Sequence, residues 1–264
     1  MTAMHYHRPA TVADAVKLLG EHADDKLLAG GQSMLPSLKM GLLATDGFID
    51  LGGIKELKGI SVEGAGVRIG AMTTHAEVAA SKDVQAKIPA LAALAAGIAD
   101  HAVRNRGTIG GSLANSDPAA CYPAAVLALG ATIHTNTRTI AADDWFKGLF
   151  ATALKSGEIL TAVSFPVPEK AAYVKFRQPA SRFSLVGVFV AKTKGGVRVA
   201  VTGAGACAFR VKALEDKLAA NWSPAACEGV SVSATGLNSD LHGSAEYRAH
   251  LIPVLAKRAV AAAG

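Results

Sequence analysis

The spacing of apolar positions changes several times along the chain, and each change predicts an element. "MHYHRPA" at residues 4–10 alternates weakly and predicts an opening strand with His5 and His7 on one face. Thr11 and Asp14 resemble a capping box, and Val12, Ala15, Val16 and Leu19 form one helical stripe behind it. "KLLAGG" predicts a short buried strand running into glycines, and "GFIDL" and "GVRIGA" predict two more strands. Thr73 or Thr74 is placed to cap a short helix, and Pro89 to open a longer one through "ALAALAAGIADHAV". A helix is expected over 118–129, stopped by Gly130, followed by strands at "ATIHT" and "EILTAVSFPVP".

Near residue 170 the pattern shifts. "AAYVKF", "SLVGVFVAKT" and "GVRVAVTGAG" predict three strands, the last two joined by a "TKGG" turn. Helices are expected over 210–220 and 244–263, with Pro253 predicting a kink in the second. This divides the chain into residues 1–170 and 171–264.

Charge supports that division. Net charge is −1 over residues 1–168 and +7 over 169–264, so any basic face belongs to the second part. Its basic residues are dispersed and only 5% of the chain is aromatic, which favours an acidic protein partner over nucleic acid and suits a plain solvated surface equally well. No apolar run reaches membrane-span length and the start lacks a signal-peptide core, so a cytoplasmic chain is expected. Cys121, Cys207 and Cys227 are scattered and suit a reducing compartment. Three cysteines cannot supply the four thiolates of an iron–sulfur cluster, so any cluster belongs to a partner.

Two stretches share a design: "LLAGGQS" at 27–33 and "GTIGGSL" at 107–113. Each runs from apolar residues through Gly-Gly into small polar residues. Glycine admits close approach to the backbone, and successive amides in such a turn can converge on an anion. Gln32, Ser33, Thr108 and Ser112 add side-chain donors. One such loop reads as a tight turn; two suit a pyrophosphate held between them. A third glycine stretch has Gly203, Gly205 and Ala208 in dinucleotide-fold spacing, but "NWSPAACEG" follows where a second strand ending in an acid is required. A hairpin strand feeding a helix accounts for it better. His5 and His7 lack a third ligand nearby in sequence and read as surface residues, and Asp24-Asp25 and Asp143-Asp144 as loop or helix-start charges. With no HExxH and no GxSxG, the sequence points to cofactor binding rather than an independent catalytic site.

"LAGGQSMLPSLKMGL" together with "VRNRGTIGGSLANSDPA" closely resembles the medium, FAD-binding subunit of molybdenum hydroxylases, the group of carbon monoxide dehydrogenase and bacterial xanthine dehydrogenase relatives. The resemblance extends to "EILTAVSFP" and "YVKF…FSLVGV". It implies an α+β fold: an FAD-binding domain of the vanillyl-alcohol-oxidase type with two α+β subdomains, then a smaller α+β domain. It also implies that the FAD pyrophosphate lies between Ala29, Gly30, Gly31, Gln32 and Ser33 on one side and Thr108, Ile109, Gly110, Gly111 and Ser112 on the other. Leu160 matches a position beside the flavin, and Lys175, or Arg177 in a competing alignment, a basic residue near the ring. Many relatives read "DPAAD" where this chain reads "DPAAC"; Cys121 is a poorer acceptor than that second Asp, and Asp117 is placed to compensate. Neither loop carries a histidine within its glycine motif, so covalent flavin attachment is not expected.

The implied partners are a small iron–sulfur subunit and a large molybdenum-cofactor subunit, in a dimer of heterotrimers. The implied role is to pass electrons from the clusters to an acceptor such as NAD+ or a quinone, a task that suits a flavin because it exchanges one electron or two.

Overall fold

The structure, a computed structural model, describes residues 4–264. The N-terminal part runs β1 (His5–His7), α1 (Val12–Glu21), β2 (Lys26–Leu28), α2 (Met34–Lys39) and β3 (Gly47–Asp50). Its strands form a parallel sheet in the order β1-β3-β2. Thr11 caps α1, its hydroxyl accepting from the Asp14 amide at 3.1 Å. The predicted stripe turns inward, with Ala15 buried and Val12, Val16 and Leu19 packed around Ile49, Leu51 and Ile54. β2 departs from expectation: Lys26 is exposed and Leu27 and Leu28 only half-buried, because β2 is an edge strand.

The middle part begins with the hairpin β4 (Ile60–Glu63) and β5 (Gly66–Gly70). Six helices follow: α3 (His75–Ala80), α4 (Lys82–Lys87), α5 (Pro89–Ala96), α6 (His101–Arg104), α7 (Ile109–Asn115) and α8 (Tyr122–Leu129). Thr74 and Glu77 close a reciprocal capping box on α3, which settles the choice between Thr73 and Thr74. Then come β6 (Thr132–Thr135), β7 (Thr139–Ala141), α9 (Ala142–Trp145), the short pair β8 (Phe146–Gly148) and β9 (Ala151–Thr152), and β10 (Leu160–Pro166). β6, β7 and β10 join the β4–β5 hairpin in an antiparallel sheet in the order β4-β5-β10-β6-β7, while β8 and β9 pair only with each other.

The last part holds β11 (Lys170–Arg177), β12 (Ser184–Thr193), β13 (Gly196–Thr202) and β14 (Phe209–Arg210), an antiparallel sheet in that order. α10 (Lys212–Ala220) and α11 (Ala245–Ala263) complete it, with α11 packed on β11 and β12.

Two helices differ from the sequence expectation. The run from Pro89 stops at Gly97 instead of continuing through "ADHAV". Ala99 takes φ 40°, Asp100 caps a new turn through Val103 N at 2.9 Å, and Arg104 Nη1 donates to the Ile98 and Ala99 carbonyls. The helix expected from 118 starts at Tyr122, because Asp117 Oδ1 accepts from Ala119 N at 2.8 Å and holds the preceding residues in a turn. α11 remains helical through Pro253.

Every residue of α8 is buried, which a two-faced packing requires. It lies between β10 on one side and β12 and β13 on the other. Gly130 ends it at φ 63°, as expected. Gly203 is needed for a different reason than cofactor approach: at φ 83° its missing Cβ would lie 2.5 Å from the Ser184 carbonyl. Its amide donates to Pro118 O at 2.6 Å and Thr202 Oγ1 to Ala120 O at 2.6 Å. Gly203 and Thr202 thus brace the segment leading into α8.

Candidate functional site: a cleft between two glycine loops

The first loop leaves the end of β2 and turns at Gly31, whose φ of 73° disfavours any residue with a Cβ. Gly30 presses against the second loop so closely that a Cβ would lie 2.1 Å from the Arg106 carbonyl. Gln32 Nε2 donates back to Gly30 O at 3.1 Å, and Gln32 and Ser33 are exposed. Among the described residues, no protein acceptor lies within hydrogen-bond reach of the amides of Gly30, Gly31, Gln32 and Ser33. Four consecutive donors therefore remain available at the cleft.

The second loop is built differently from the sequence expectation. Thr108 caps α7, and Ile109 to Ser112 are helical rather than an open turn. Ile109 N donates to Thr73 O at 3.1 Å, Gly110 N to Ala71 O at 2.8 Å, and Ser112 N to Thr108 O at 3.0 Å. Gly111 N donates to Thr108 Oγ1 at 3.1 Å. These amides are spent inside the protein, so this loop cannot present a row of converging donors. It offers instead a smooth helical surface, with the Thr108 and Ser112 hydroxyls as polar groups. Ile109 is fully buried and stays outside the cleft lining, the one member of the predicted set that does.

Between the loops lies an open cleft of ≈ 370 Å³. Ala29 to Ser33, Thr108, Gly110, Gly111, Ser112, Asp117, Leu160 and Lys175 all line it, joined by largely apolar neighbours such as Met72, Ile98 and Phe183. A mostly apolar concavity with a few placed polar groups is the usual form of a cofactor site. Lys175 faces the cleft whereas Arg177 is outside its lining. Lys175 Nζ donates to Gly97 O at 2.9 Å, Arg182 O at 3.1 Å and Cys121 Sγ at 3.4 Å. Cys121 thus faces an ammonium, and its Sγ also lies 3.7 Å from Ser184 Oγ. Asp117 has one carboxylate oxygen committed to the turn before α8.

Two lining groups were not singled out in the sequence. Glu158, two residues before Leu160, is held well below the usual carboxylate range, at about 2, chiefly by hydrogen bonds from Arg138. Arg138 Nε reaches it at 2.6 Å and Nη2 at 2.9 Å, against the opposing cost of burial, and Thr137 and Lys155 N add further bonds. This ion pair fixes the wall that carries Leu160. Nothing in "EIL" announces a partner twenty residues earlier.

The second is His75, at the first position of α3, whose ring packs 5.3 Å from that of Tyr122. Burial, and secondarily Arg104, lowers its pKa to about 4. The neutral imidazole is therefore the folded form. Below the unfolded value of 6.5 the unfolded chain takes up the proton and the folded one does not, so stability falls with pH down to about 4 and then levels. Denaturant titrations across that window should show a loss of about 3 kcal/mol attributable to this group. His75→Gln should flatten the slope; an unchanged slope would assign the pH dependence elsewhere.

Comparison with known proteins then decides the family. Residues 2–168, spanning both glycine loops and Leu160, match the family described as the FAD binding domain in molybdopterin dehydrogenase. The chain belongs to that family. Its members include relatives matched over nearly their whole length. The nicotine 6-hydroxylase medium subunit of Paenarthrobacter nicotinovorans is 38% identical, covering 100% of this chain and 98% of that one. The carbon monoxide dehydrogenase medium chain of Hydrogenophaga pseudoflava is 35% identical, covering 98% and 96%. The solved structure of carbon monoxide dehydrogenase from Hydrogenophaga pseudoflava superposes with a TM-score of 0.90 at 35% identity, over 98% of this chain and 96% of that one. The mixed α/β architecture is therefore that of a medium subunit of this family. The family match ends two residues before β11, so Lys175 lies outside it.

Proposed function

We propose that this chain is the FAD-carrying, electron-transferring subunit of a molybdenum-containing hydroxylase. The observation that carries the assignment is the run of four unengaged amides from Gly30 to Ser33, on a loop that lines an apolar cleft in an FAD-binding family member. These donors fit a pyrophosphate, and each charge-assisted bond is worth about 1.5–3 kcal/mol. The Thr108 and Ser112 hydroxyls meet the same group from the other loop, with Gly110 and Gly111 keeping that surface flat. Asp117 accepts from the cofactor's polar chain, Leu160 covers the ring from water, and Lys175 sets a positive charge beside it. Bound FAD supplies one- and two-electron redox chemistry.

The chain's own part is placement. It holds the cofactor where electrons from the iron–sulfur clusters of a small subunit can reach an external acceptor, while a large molybdenum-cofactor subunit oxidises the substrate. The assembly is a cytoplasmic dimer of heterotrimers. The names of the relatives, medium subunits of multi-subunit enzymes, support this reading. Among the described residues, no helix is long and apolar enough to cross a membrane. The β1-β3-β2 sheet and the five-stranded sheet correspond to the two subdomains of a vanillyl-alcohol-oxidase-type domain over residues 1–170, with residues 171–264 as the smaller second domain.

Ser33 provides a test that spares the fold. It is exposed, and its hydroxyl makes no capping bond to α2. Asp and Asn are both good residues at a helix start. Ser33→Asp should fold normally yet lose FAD affinity by at least about tenfold, from the carboxylate facing phosphate. Ser33→Asn should retain it. Flavin occupancy and melting temperature measured together check this, and equal flavin content in both variants would displace the first loop from the phosphate site.

A further inference from the structure

Strand β1 alternates so that His5 and His7 project from the same face, and the sequence shows no third ligand nearby. The fold supplies two. His22 sits at the C-cap of α1, and Asp25 follows just before β2. One ligand atom from each of the four, three imidazoles and one carboxylate, lies within 4.8 Å of all the others. His5 Nδ1 is 3.6 Å from Asp25 Oδ1, and His7 Nε2 is 3.7 Å from Asp25 Oδ2. The His7 and His22 rings stack with centroids 4.5 Å apart.

Asp25 is the telling member. Its side chain is 1% exposed, yet neither carboxylate oxygen has a hydrogen-bond partner, and His7 Nε2 is also buried without one. A buried carboxylate without hydrogen bonds is costly, and native proteins rarely leave one so. Asp25 lies in the α1–β2 loop, one of the places the sequence suggested, but it is buried there without a hydrogen-bond partner. The approach depends on Gly47 at the start of β3. A Cβ there would lie 2.5 Å from His5 Cβ and 2.7 Å from Asp25 Oδ1.

We propose that His5, His7, His22 and Asp25 form a binding site for a divalent transition metal ion, with zinc as the best fit. Three imidazole nitrogens and one carboxylate oxygen are a complete zinc donor set, and no thiolate is present to favour a softer ion. Bonds of about 2.0–2.1 Å in a tetrahedron place ligands roughly 3.3 Å apart. The two His–Asp contacts run to different oxygens of Asp25, and the four ligand atoms lie within 4.8 Å of one another, so closing on one ion requires them to draw together by up to about 1.5 Å. With four protein ligands the site is closed, which marks a structural rather than a catalytic ion. Its place in the fold says what it would hold. β1 and β2 are the two edge strands on either side of β3, and β2 leads directly into the Ala29–Ser33 loop. An ion bridging β1 to the α1–β2 connection would fasten both edges of that sheet.

The test uses the untagged full chain, loaded with FAD and stripped of metal by a chelator. Zinc titration followed by calorimetry should give one ion per chain, and zinc should raise the melting temperature. Cobalt should produce tetrahedral absorption at wavelengths longer than the flavin bands. Asp25→Asn alters a buried group and risks the fold, so the decisive variants are His7→Gln and His22→Gln at the partly exposed rim. Each should weaken zinc binding by more than the roughly 10–100-fold lost when only a ligand's supporting partner is removed, with flavin content unchanged. Zinc bound by wild type no more tightly than by the His7→Gln/His22→Gln double variant would overturn the proposal, as would the absence of binding.

Discussion

Replacing Gly110 with aspartate is expected to leave no soluble, flavin-loaded chain. The sequence places this glycine where backbone amides would meet phosphate, and on that basis alone the substitution would act on cofactor binding. The structure gives a stronger reason. Gly110 is buried, its amide already donates to Ala71 O at 2.8 Å, and a Cβ would lie 2.5 Å from Ala71 Cβ. Aspartate adds that collision and a buried charge without a partner, together at least about 4 kcal/mol. A domain of this kind has only about 5–15 kcal/mol to lose. Gly110→Ala separates the two effects, since it keeps the collision and omits the charge, and should cost about 1–3 kcal/mol. Expression, melting temperature and flavin content of the pair check the account. A well-folded Gly110→Asp chain that lacks only its flavin would return the effect to the phosphate site.

The second large effect concerns the division of labour among subunits. The isolated recombinant chain should be yellow, release one FAD per chain on denaturation, contain neither iron nor molybdenum, and reduce no dye on addition of substrate. The same chain recovered from its own cells should bring iron and molybdenum in fixed ratio and support turnover. Three free cysteines and the lack of an independent catalytic constellation motivate this. Substrate-dependent dye reduction by the metal-free chain alone would replace this reading with a free-standing flavin oxidoreductase. Electrostatics are expected to help guide assembly, because ion pairing within the chain leaves most of the +7 of the C-terminal part in place. Arg198 pairs with Asp143, Arg210 with Asp143 and Glu215, Arg248 with Asp240, and Lys192 with Glu169. Glu169, Glu215 and Asp240 are already counted in the +7, so only Asp143 answers any of the excess, and added salt should slow association.

What was legible in the sequence follows the range of the interactions involved. Thr11, the Thr74–Glu77 box, Gly130 and the strand alternations act over a few residues, so their elements could be read directly. The two glycine loops could be paired because each is a local motif and their separation is characteristic. Gly203 and Gly205 could be set aside because a dinucleotide unit needs a second strand that the next residues do not provide. Even where local reading erred, as in the helix expected beyond Gly97, the deciding contact was near: Asp100 capping a new turn.

The sequence by itself therefore determined the kind of protein this is, most of its longer elements and the two loops of its cleft, because those rest on short-range pattern. Tertiary structure alone decided which loop has donors to give. The amides of Ile109 and Gly110 are spent on Thr73 and Ala71, some forty residues earlier, while those of Gly30 to Ser33 meet no such partner. It also decided that Lys175 rather than Arg177 lines the cleft, and that Glu158 answers Arg138. The same holds for His22 and Asp25, which join His5 and His7 only because a parallel sheet folds the α1–β2 connection back over β1, and Gly47 leaves room for them to meet. Spacing along a chain encodes a helix face or a strand face; it does not encode which distant backbone will claim a donor, or which distant side chains will share one.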